Sequence, residues 1–133
     1  MIVLDASAWA RSLAVDDEAS DAARDFMTRY PRWLMPPHGP VETLRTIRRF
    51  EQAEFLSPTE AEECMTGLTL AEVTLIQPEP WLLRTMWSLR HNISPFDAAY
   101  VAIALRFKHP LLTFDKRLAR AAEALGVAVE APQ

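Results

Sequence analysis

The chain has 133 residues, and with 50% hydrophobic and 24% charged residues it has the composition of one globular domain rather than a disordered polypeptide. Its net charge of -4 argues against a generally basic surface for nucleic acid, although divalent cations held by clustered acids would reverse the sign locally. The lone cysteine, Cys64, excludes an internal disulfide. We find neither a secretory signal nor an apolar run long enough to cross a membrane, so we expect a cytoplasmic protein.

Short β-rich runs alternate with longer helical patterns along the chain, an order that is typical of a parallel sheet flanked by helices. The predicted strands are residues 2–4, 33–35, 72–76, 111–114 and 127–130. No repeat, low-complexity tract or flexible linker interrupts this pattern. We therefore predict one α/β domain over residues 1–133, folded as a three-layer α/β/α sandwich with a mainly parallel sheet.

In the first half of the chain, helices are predicted at residues 6–13, 16–30 and 41–50. The second helix begins with acids and has Arg29 in its last turn, as the helix dipole prefers. The loop MPPHGP blocks helix formation as far as Pro40, which suits a first helical turn. Three-residue steps between apolar side chains predict one apolar stripe on the third helix, made of Val41, Leu44, Ile47 and Phe50.

In the second half, helices are predicted at residues 57–68, 80–90 and 94–107, and from near Asp115 to a C-cap at Gly126. The first of them starts with a capping box, in which Ser57 is the N-cap and Glu60 follows three residues later. The helix SPFDAAYVAIALRF is almost entirely apolar after its first turn. Its apolar body predicts a buried core helix, which makes the acid in that first turn unexpected.

Four acids stand at predicted helix starts, and local structure offers a sufficient explanation for each one. Asp5 and Asp115 lie between a strand and the next helix, where a carboxylate usually caps the helix. Glu42 and Asp97 lie in first helical turns, where an acid complements the dipole. The carboxyl ends of parallel strands share one edge, so Asp5, Glu42 and Asp115 are expected to meet there. Asp97 joins them only if the topology brings its helix start to the same edge.

Four carboxylates gathered at neutral pH require protons or cations, because like charges at short range disfavour each other's ionisation. Oxygen ligands without histidine or cysteine suit Mg²⁺ or Mn²⁺. The histidines lack any metal-binding spacing and are interpreted as loop or helix-end residues: His38, His91 and His109. Divalent ions activate water and neutralise the charge that develops during phosphodiester cleavage, so the acids favour a nuclease.

Four stretches of the chain, IVLDASAW, PVETLRTIRR, SPFDAAYVAIA and LLTFDKRLARAA, together resemble the PIN-domain family. Within it they are similar to the VapC-like ribonuclease toxins of type II toxin–antitoxin systems. The resemblance covers almost the whole chain, and its last two motifs are the most specific. It implies a PIN-like parallel sheet between helices and an Mg²⁺- or Mn²⁺-dependent endoribonuclease.

Carried onto this sequence, the resemblance implies that Asp5 and Asp97 are metal ligands and that Glu42 completes the acidic site. Asp115 would supply a further ligand or orient the attacking water. Some relatives have one more acid shortly after the fourth, whereas here two basic residues follow it. A second metal is therefore expected to be weakly held or to arrive with the RNA phosphate.

Smaller polar and basic residues beside the acids are further candidates. Ser7 and Thr113 occupy positions where the family often has small hydroxyl residues near the site, although hydrogen bonds to local backbone explain them equally well. Arg45 and Lys116 are candidates to contact RNA phosphates without reading sequence. The alternative for both is a solvated helix face.

The resemblance also implies partners, namely an RNA substrate, a VapB-like antitoxin and a second copy of the chain in a homodimer. An exposed apolar groove that accepts the antitoxin would include Trp9, Leu13, Phe26 and Met27, unless these side chains are simply core.

Two other functions remain open from the sequence. One is a catalytically inactive PIN-like module that binds RNA or protein. The other is a phosphoryl-transfer or receiver-type domain with Asp5 as nucleophile or phosphoacceptor. Against the second, Ser7 stands where a paired D-x-D motif would have its second acid.

Overall fold

The computed structural model describes residues 1–133 and contains five strands and seven helices in the predicted order. The strands are β1 (Ile2–Leu4), β2 (Trp33–Met35), β3 (Thr74–Leu75), β4 (Leu111–Leu112) and β5 (Val129–Glu130). The helices are α1 (Ala6–Ala14), α2 (Glu18–Thr28), α3 (Gly39–Gln52), α4 (Pro58–Leu70), α5 (Pro80–Ser88), α6 (Pro95–Phe107) and α7 (Lys116–Ala124).

The five strands form one sheet in the order β3-β2-β1-β4-β5, and every neighbouring pair is parallel. In this register, Val3 of β1 lies opposite Leu34 on one side and Leu111 on the other. All three residues of β1 are fully buried, as expected for a central strand with helices on both faces. The predicted α/β architecture is confirmed, with a sheet that is parallel throughout.

The order in which successive strands are added to the sheet changes direction once. The chain steps outward from β1 through β2 to β3, and then returns past β1 to β4 and β5. Because parallel crossovers are right-handed, helices before and after this reversal lie on opposite faces of the sheet. Consistent with this, α1 contacts α2, α3 and α4, whereas α6 contacts α5 and three strands. The crevice at the carboxyl ends of β1 and β4 is therefore the topological switch point, where open α/β sheets bind ligands.

Helix α3 buries only part of the apolar stripe that its sequence predicts. Its buried residues are Gly39, Thr43 and Ile47, at four-residue steps, whereas Val41 and Leu44 are 66% and 42% exposed. Helix α3 packs mainly against α1 and α4, and Gly39 at its start fits closely against the end of β2, where a Cβ would lie 2.6 Å from Cε of Met35. The Thr43 hydroxyl donates to the Gly39 carbonyl at 2.9 Å, which satisfies it inside the core. The stripe prediction is therefore half correct, since Ile47 is buried and Phe50 packs against the core, whereas Val41 and Leu44 are exposed.

Several predicted boundaries also shift. Strands β3, β4 and β5 are each shorter than predicted, with two residues apiece. The capping box of α4 is confirmed, since the Ser57 hydroxyl accepts from the Glu60 amide at 3.1 Å and the Glu60 carboxylate accepts from the Ser57 amide at 2.9 Å. Helix α7 ends two residues before Gly126, whose φ of 87° lies in the left-handed region that glycine adopts without strain.

Helix α6 is the core helix that its sequence predicts. Every residue from Ala98 to Ala104 is buried, and Tyr100 is the largest side chain that is fully buried in the molecule. Its N-cap, Ser94, accepts a hydrogen bond from the Asp97 amide at 3.4 Å. Because α6 packs on β1, β2 and β4, its first turn lies at one edge of the sheet. None of the helices combines the length and the apolar character that a membrane crossing requires.

Candidate active site

All four predicted acids line one cleft of about 340 Å³ at the carboxyl edge of the sheet. Asp5 follows β1, Asp115 follows β4, and Glu42 and Asp97 lie in the first turns of α3 and α6. The start of α6 therefore reaches the same edge, which the sequence alone did not establish. Their roles as ligands or catalytic groups stay predictions, but their meeting in one cleft is a property of the fold.

Asp5 is not the helix cap that its position suggests, because its side chain makes no capping hydrogen bond to α1. Its Oδ2 instead accepts hydrogen bonds from the Ser7 hydroxyl at 2.5 Å and the Thr113 hydroxyl at 2.8 Å. Those two hydroxyls are themselves fixed, since they accept from the amides of Phe114 at 3.0 Å and Asp115 at 2.9 Å. Strand pairing between β1 and β4 thus holds Asp5 in one orientation, with Oδ1 left without a hydrogen bond.

The charge of Asp5 is costly in this position. The side chain is buried, with 6% of its surface exposed, and burial raises its pKa from 3.8 to about 6. Hydrogen bonds from Ser7 and Thr113 oppose that rise, and the negative charges of Glu42 and Asp97 add to it. A cation in the cleft would act in the opposite direction and favour the ionised carboxylate.

Asp115 and Asp97 face each other across the cleft. Asp115 does cap its helix, since Oδ1 accepts from the amides of Arg117 at 2.9 Å and Leu118 at 3.1 Å. Burial raises the pKa of Asp97, and the charge of Asp115 raises it further, while Ser94 and Arg117 oppose the increase. The capping prediction for Asp115 is therefore correct, and it does not prevent the same side chain from lining the cleft.

Glu42 is held by a residue that the sequence did not single out. The Tyr100 hydroxyl donates to Oε1 of Glu42 at 2.7 Å. Burial, together with the charges of Asp5 and Glu42, raises the pKa of Tyr100 far above its usual range, so the hydroxyl keeps its proton. On the other side, Nε2 of His38 lies 3.8 Å from the same Oε1 and 3.0 Å from the Phe96 carbonyl oxygen. The available signal was Tyr100 itself, a lone polar group one turn after Asp97 in an apolar helix.

Basic side chains rim the acids on the α1 and α3 side of the cleft. Arg45 lines it, together with Arg49 on the same helix and with Arg11, which the sequence had not singled out. Arg11 is already engaged, because it pairs with Asp17 at 2.7 Å and stacks over the Phe114 ring at 4.3 Å. The guanidinium groups of Arg45 and Arg49 form no ion pair within the chain.

The other predicted RNA-contacting residue, Lys116, is exposed at the start of α7 and does not line the cleft. Its neighbour Arg117 lines an adjoining cavity of about 270 Å³, which shares Asp97 and Asp115 with the cleft. Of the two basic residues that follow Asp115, Arg117 is therefore the one placed beside the acids.

The acids of the cleft are of the right chemical type to bind a divalent cation, but they lie too far apart to hold one directly. No three acidic, histidine or cysteine side chains lie close enough together to hold a metal ion directly. The donors are nonetheless carboxylate oxygens, which Mg²⁺ and Mn²⁺ prefer. Mg²⁺ commonly keeps several waters and binds through one or two carboxylates together with substrate phosphates. The chemistry of the cleft therefore fits a partly hydrated ion, and Asp5 and Asp97, with Glu42 and Asp115 in the same cleft, are the residues that would hold it.

The apolar groove that the sequence predicts is present in part. A groove of about 270 Å³ lies among α1, α2 and α4, with an apolar lining formed mainly by Trp9, Leu13, Met27, Trp33 and Ala71. Phe26 does not line it, and Trp9 and Met27 are only 3% and 5% exposed, so these side chains mostly serve the core. Gly67 forms part of the floor, where a Cβ would lie 2.8 Å from the Leu13 side chain.

Comparisons with known proteins agree with the fold. The family profile described as the PIN domain matches residues 2–124. Ribonuclease VapC9 of Mycobacterium tuberculosis is 30% identical over 124 residues, which cover 93% of each chain. Ribonuclease VapC1 of the same species is 35% identical over 81 residues, so the matched part spans 61% of that relative's length.

Among solved structures, M. tuberculosis VapC20, described as a sarcin-ricin loop cleaving toxin, superposes with a TM-score of 0.66. It is 20% identical, and the match covers 91% of this chain and 95% of that one. At this identity the superposition speaks for the fold.

Proposed function

The chain belongs to the PIN-domain family, and from that premise we propose that it is a metal-dependent endoribonuclease, the toxin of a toxin–antitoxin pair. The observation that carries the proposal is the meeting of Asp5, Glu42, Asp97 and Asp115 in one cleft at the switch point of the sheet. Curated relatives are named ribonucleases, which supports RNA as the substrate.

Each acid has a distinct task in the proposed reaction. Asp5 and Asp97 hold Mg²⁺ or Mn²⁺, Glu42 completes the acidic site, and Asp115 supplies a further ligand or orients water. When bound, the ion supplies an activated water and neutralises the charge that develops on the cleaved phosphodiester. Ser7 and Thr113 act through Asp5, because their hydroxyls hold one of its oxygens and leave the other free of hydrogen bonds.

Arginines on the rim bind the RNA backbone in this proposal. Arg45 and Arg49 lie one helical turn apart on α3, beside Glu42, and both line the cleft. Contacts of this kind hold phosphates and carry no sequence information. At the start of α7, Arg117 lines the cavity beside Asp97 and Asp115, and Lys116 is exposed next to it; we expect both to contact the RNA strand where it leaves the acids.

A VapB-like antitoxin is the proposed partner that keeps the enzyme inactive. The groove among α1, α2 and α4 offers an apolar surface for an amphipathic segment, and it flanks α1, which follows directly from Asp5. We also propose a homodimer, consistent with large exposed apolar side chains such as Leu83 and Trp87 on α5, and a cytoplasmic location.

Cleavage assays with purified protein test the proposal. RNA should be cut with Mg²⁺ or Mn²⁺ and left intact with EDTA, and Asp5→Asn or Asp97→Asn should abolish cutting without unfolding the domain. Asp25→Asn is the matched control, since Asp25 is an exposed acid on α2 away from the cleft. Normal cutting by the Asp5 and Asp97 variants would show that the proposed site is wrong.

The alternative is a catalytically inactive PIN-like module that binds RNA or protein. One observation favours it, namely that no three acids are close enough to form a ready-made metal site. That module would bind RNA but cut none at any concentration of either ion. A receiver-type domain would instead become covalently phosphorylated on Asp5, which mass spectrometry after incubation with a phosphodonor would detect.

A further inference from the structure

Tyr100 is the only side chain of α6 that donates a hydrogen bond to one of the four acids. It lies one turn after Asp97 on α6, is 0% exposed, and donates to Oε1 of Glu42 on α3 at 2.7 Å. The two residues are 58 positions apart in sequence, so the contact joins two elements that come from opposite faces of the sheet. No other hydrogen bond holds the Glu42 carboxylate.

Without this hydrogen bond, no other contact of this kind would fix the orientation of the Glu42 side chain. It stands in the first turn of α3, where an acid is stabilised by the helix dipole whether it points outward or inward. It follows the proline-rich loop before α3, and its neighbours Val41 and Leu44 are exposed. The helix by itself therefore does not direct Glu42 into the cleft.

The surroundings of Tyr100 fix its hydroxyl in place. The His38 ring packs edge-on against the Tyr100 ring at 5.7 Å and against Phe96 at 5.1 Å. The hydrogen bond between Nε2 of His38 and the Phe96 carbonyl oxygen keeps that packing in register. Since Tyr100 is enclosed in the core and His38 covers its outer side, the hydroxyl is a rigid donor aimed at one oxygen of Glu42.

We propose that Tyr100 is a positioning residue for the RNA-cleaving reaction. Its hydroxyl holds Oε1 of Glu42 so that Oε2 faces Asp5 and Asp97 in the cleft. This inference rests on the proposed function, and it adds a residue on the core helix to the acidic site. Tyr100 touches neither the substrate nor the reacting atoms; it acts through Glu42.

Tyr100→Phe tests the proposal, because it removes one oxygen and keeps the ring. Loss of a partner that orients a metal ligand typically costs about 10- to 100-fold in metal affinity or activity. We expect Mn²⁺ to bind at least about tenfold more weakly, as measured by electron paramagnetic resonance without RNA. We also expect kcat for RNA cleavage to fall about tenfold or more, with little change in KM.

Tyr30→Phe is the matched control, since the Tyr30 ring packs against Phe26 on α2, away from the acids. A purely structural role for Tyr100 would lower thermal stability and leave Mn²⁺ affinity unchanged. In a Glu42→Ala background, Tyr100→Phe should cause no further loss of Mn²⁺ affinity, because the residue through which it acts is gone.

Three outcomes separate this inference from the proposed function. Weaker Mn²⁺ binding by Tyr100→Phe that disappears in the Glu42→Ala background supports positioning. Wild-type Mn²⁺ affinity and kcat in Tyr100→Phe overturn the positioning role and leave the nuclease proposal standing. A wild-type protein that neither binds Mn²⁺ nor cuts RNA overturns both proposals together.

Discussion

Asp5→Asn should stabilise the metal-free protein near neutral pH while it abolishes activity. The carboxylate is buried beside Glu42 and Asp97, and its pKa is raised from 3.8 to about 6. A group with a raised pKa in the folded state binds its proton more tightly than in the unfolded chain. Its contribution to stability is therefore fully present below pH 3.8 and is lost as the pH rises through about 6.

The size of the effect follows from the shift. At about 1.4 kcal/mol per pKa unit, ionised Asp5 costs the metal-free fold up to about 3 kcal/mol above pH 7. Asparagine carries no charge, and its side-chain oxygen can still accept hydrogen bonds from Ser7 and Thr113. Its amide group, however, finds no acceptor in the protein and can donate only to solvent in the cleft, which is a loss of stability. A net gain of about 1–2 kcal/mol is expected after that loss. For a chain of this length it corresponds to a rise in Tm of roughly 4–7 °C.

Thermal and urea denaturation in EDTA, across pH about 4 to about 8, measure this gain against wild type and the exposed control Asp25→Asn. The advantage of Asp5→Asn should shrink as the pH falls, because wild-type Asp5 then becomes neutral. Added Mg²⁺ should also reduce the difference in stability between the variant and wild type, because it stabilises only the wild-type protein. A variant that is less stable than wild type at pH about 7.5, or an advantage that does not depend on pH, would refute the reasoning.

Two further variants test how the cleft is built. Arg45→Ala should raise KM for RNA about three- to tenfold, leave kcat nearly unchanged and weaken the salt dependence of binding. Arg48→Ala, on another face of α3, should change neither KM nor the salt dependence. Equal effects of both variants would point to nonspecific attraction. Thr113→Val should lower the free energy of unfolding by about 1–3 kcal/mol and reduce cleavage, because it removes a donor to Asp5; Thr69→Val, on the exposed face of α4, should change neither quantity.

The order of elements and the parallel sheet could be predicted from the sequence, because each depends on local periodicity and on general rules of connection. The buried face of α3 could be predicted only in part. Apolar spacing predicted Val41 and Leu44 to be buried with Ile47, whereas the residues buried with Ile47 are Gly39 and Thr43. Which face is buried depends on how α3 packs against α1 and α4, and a single helix sequence does not contain that information.

The acids show a similar division. Their positions at helix starts, and so their expected edge of the sheet, follow from the chain order. Their orientations follow only in part. Ser7 and Thr113, which hold Asp5, were predicted to lie near the site, whereas the contact between Tyr100 and Glu42, 58 residues apart, was not predicted. The convergence of Asp97 likewise depends on where α6 crosses the sheet.

Capping and metal binding first looked like competing explanations for these acids, but the geometry makes them compatible. Three of the four carboxylates have one oxygen held by the protein and the other free of hydrogen bonds: Asp5 through Oδ2, Glu42 through Oε1 and Asp115 through Oδ1. A carboxylate with only one oxygen held by hydrogen bonds has a fixed orientation, and its other oxygen stays available. This arrangement suits a metal ligand in the metal-free protein. Asp97 differs, because its hydrogen bond to the exposed Ser94 hydroxyl is donated by the backbone amide and does not hold the carboxylate. We therefore expect Asp97 to move most when Mn²⁺ binds, and a structure with the ion in which Asp5 moves and Asp97 does not would contradict this division of roles.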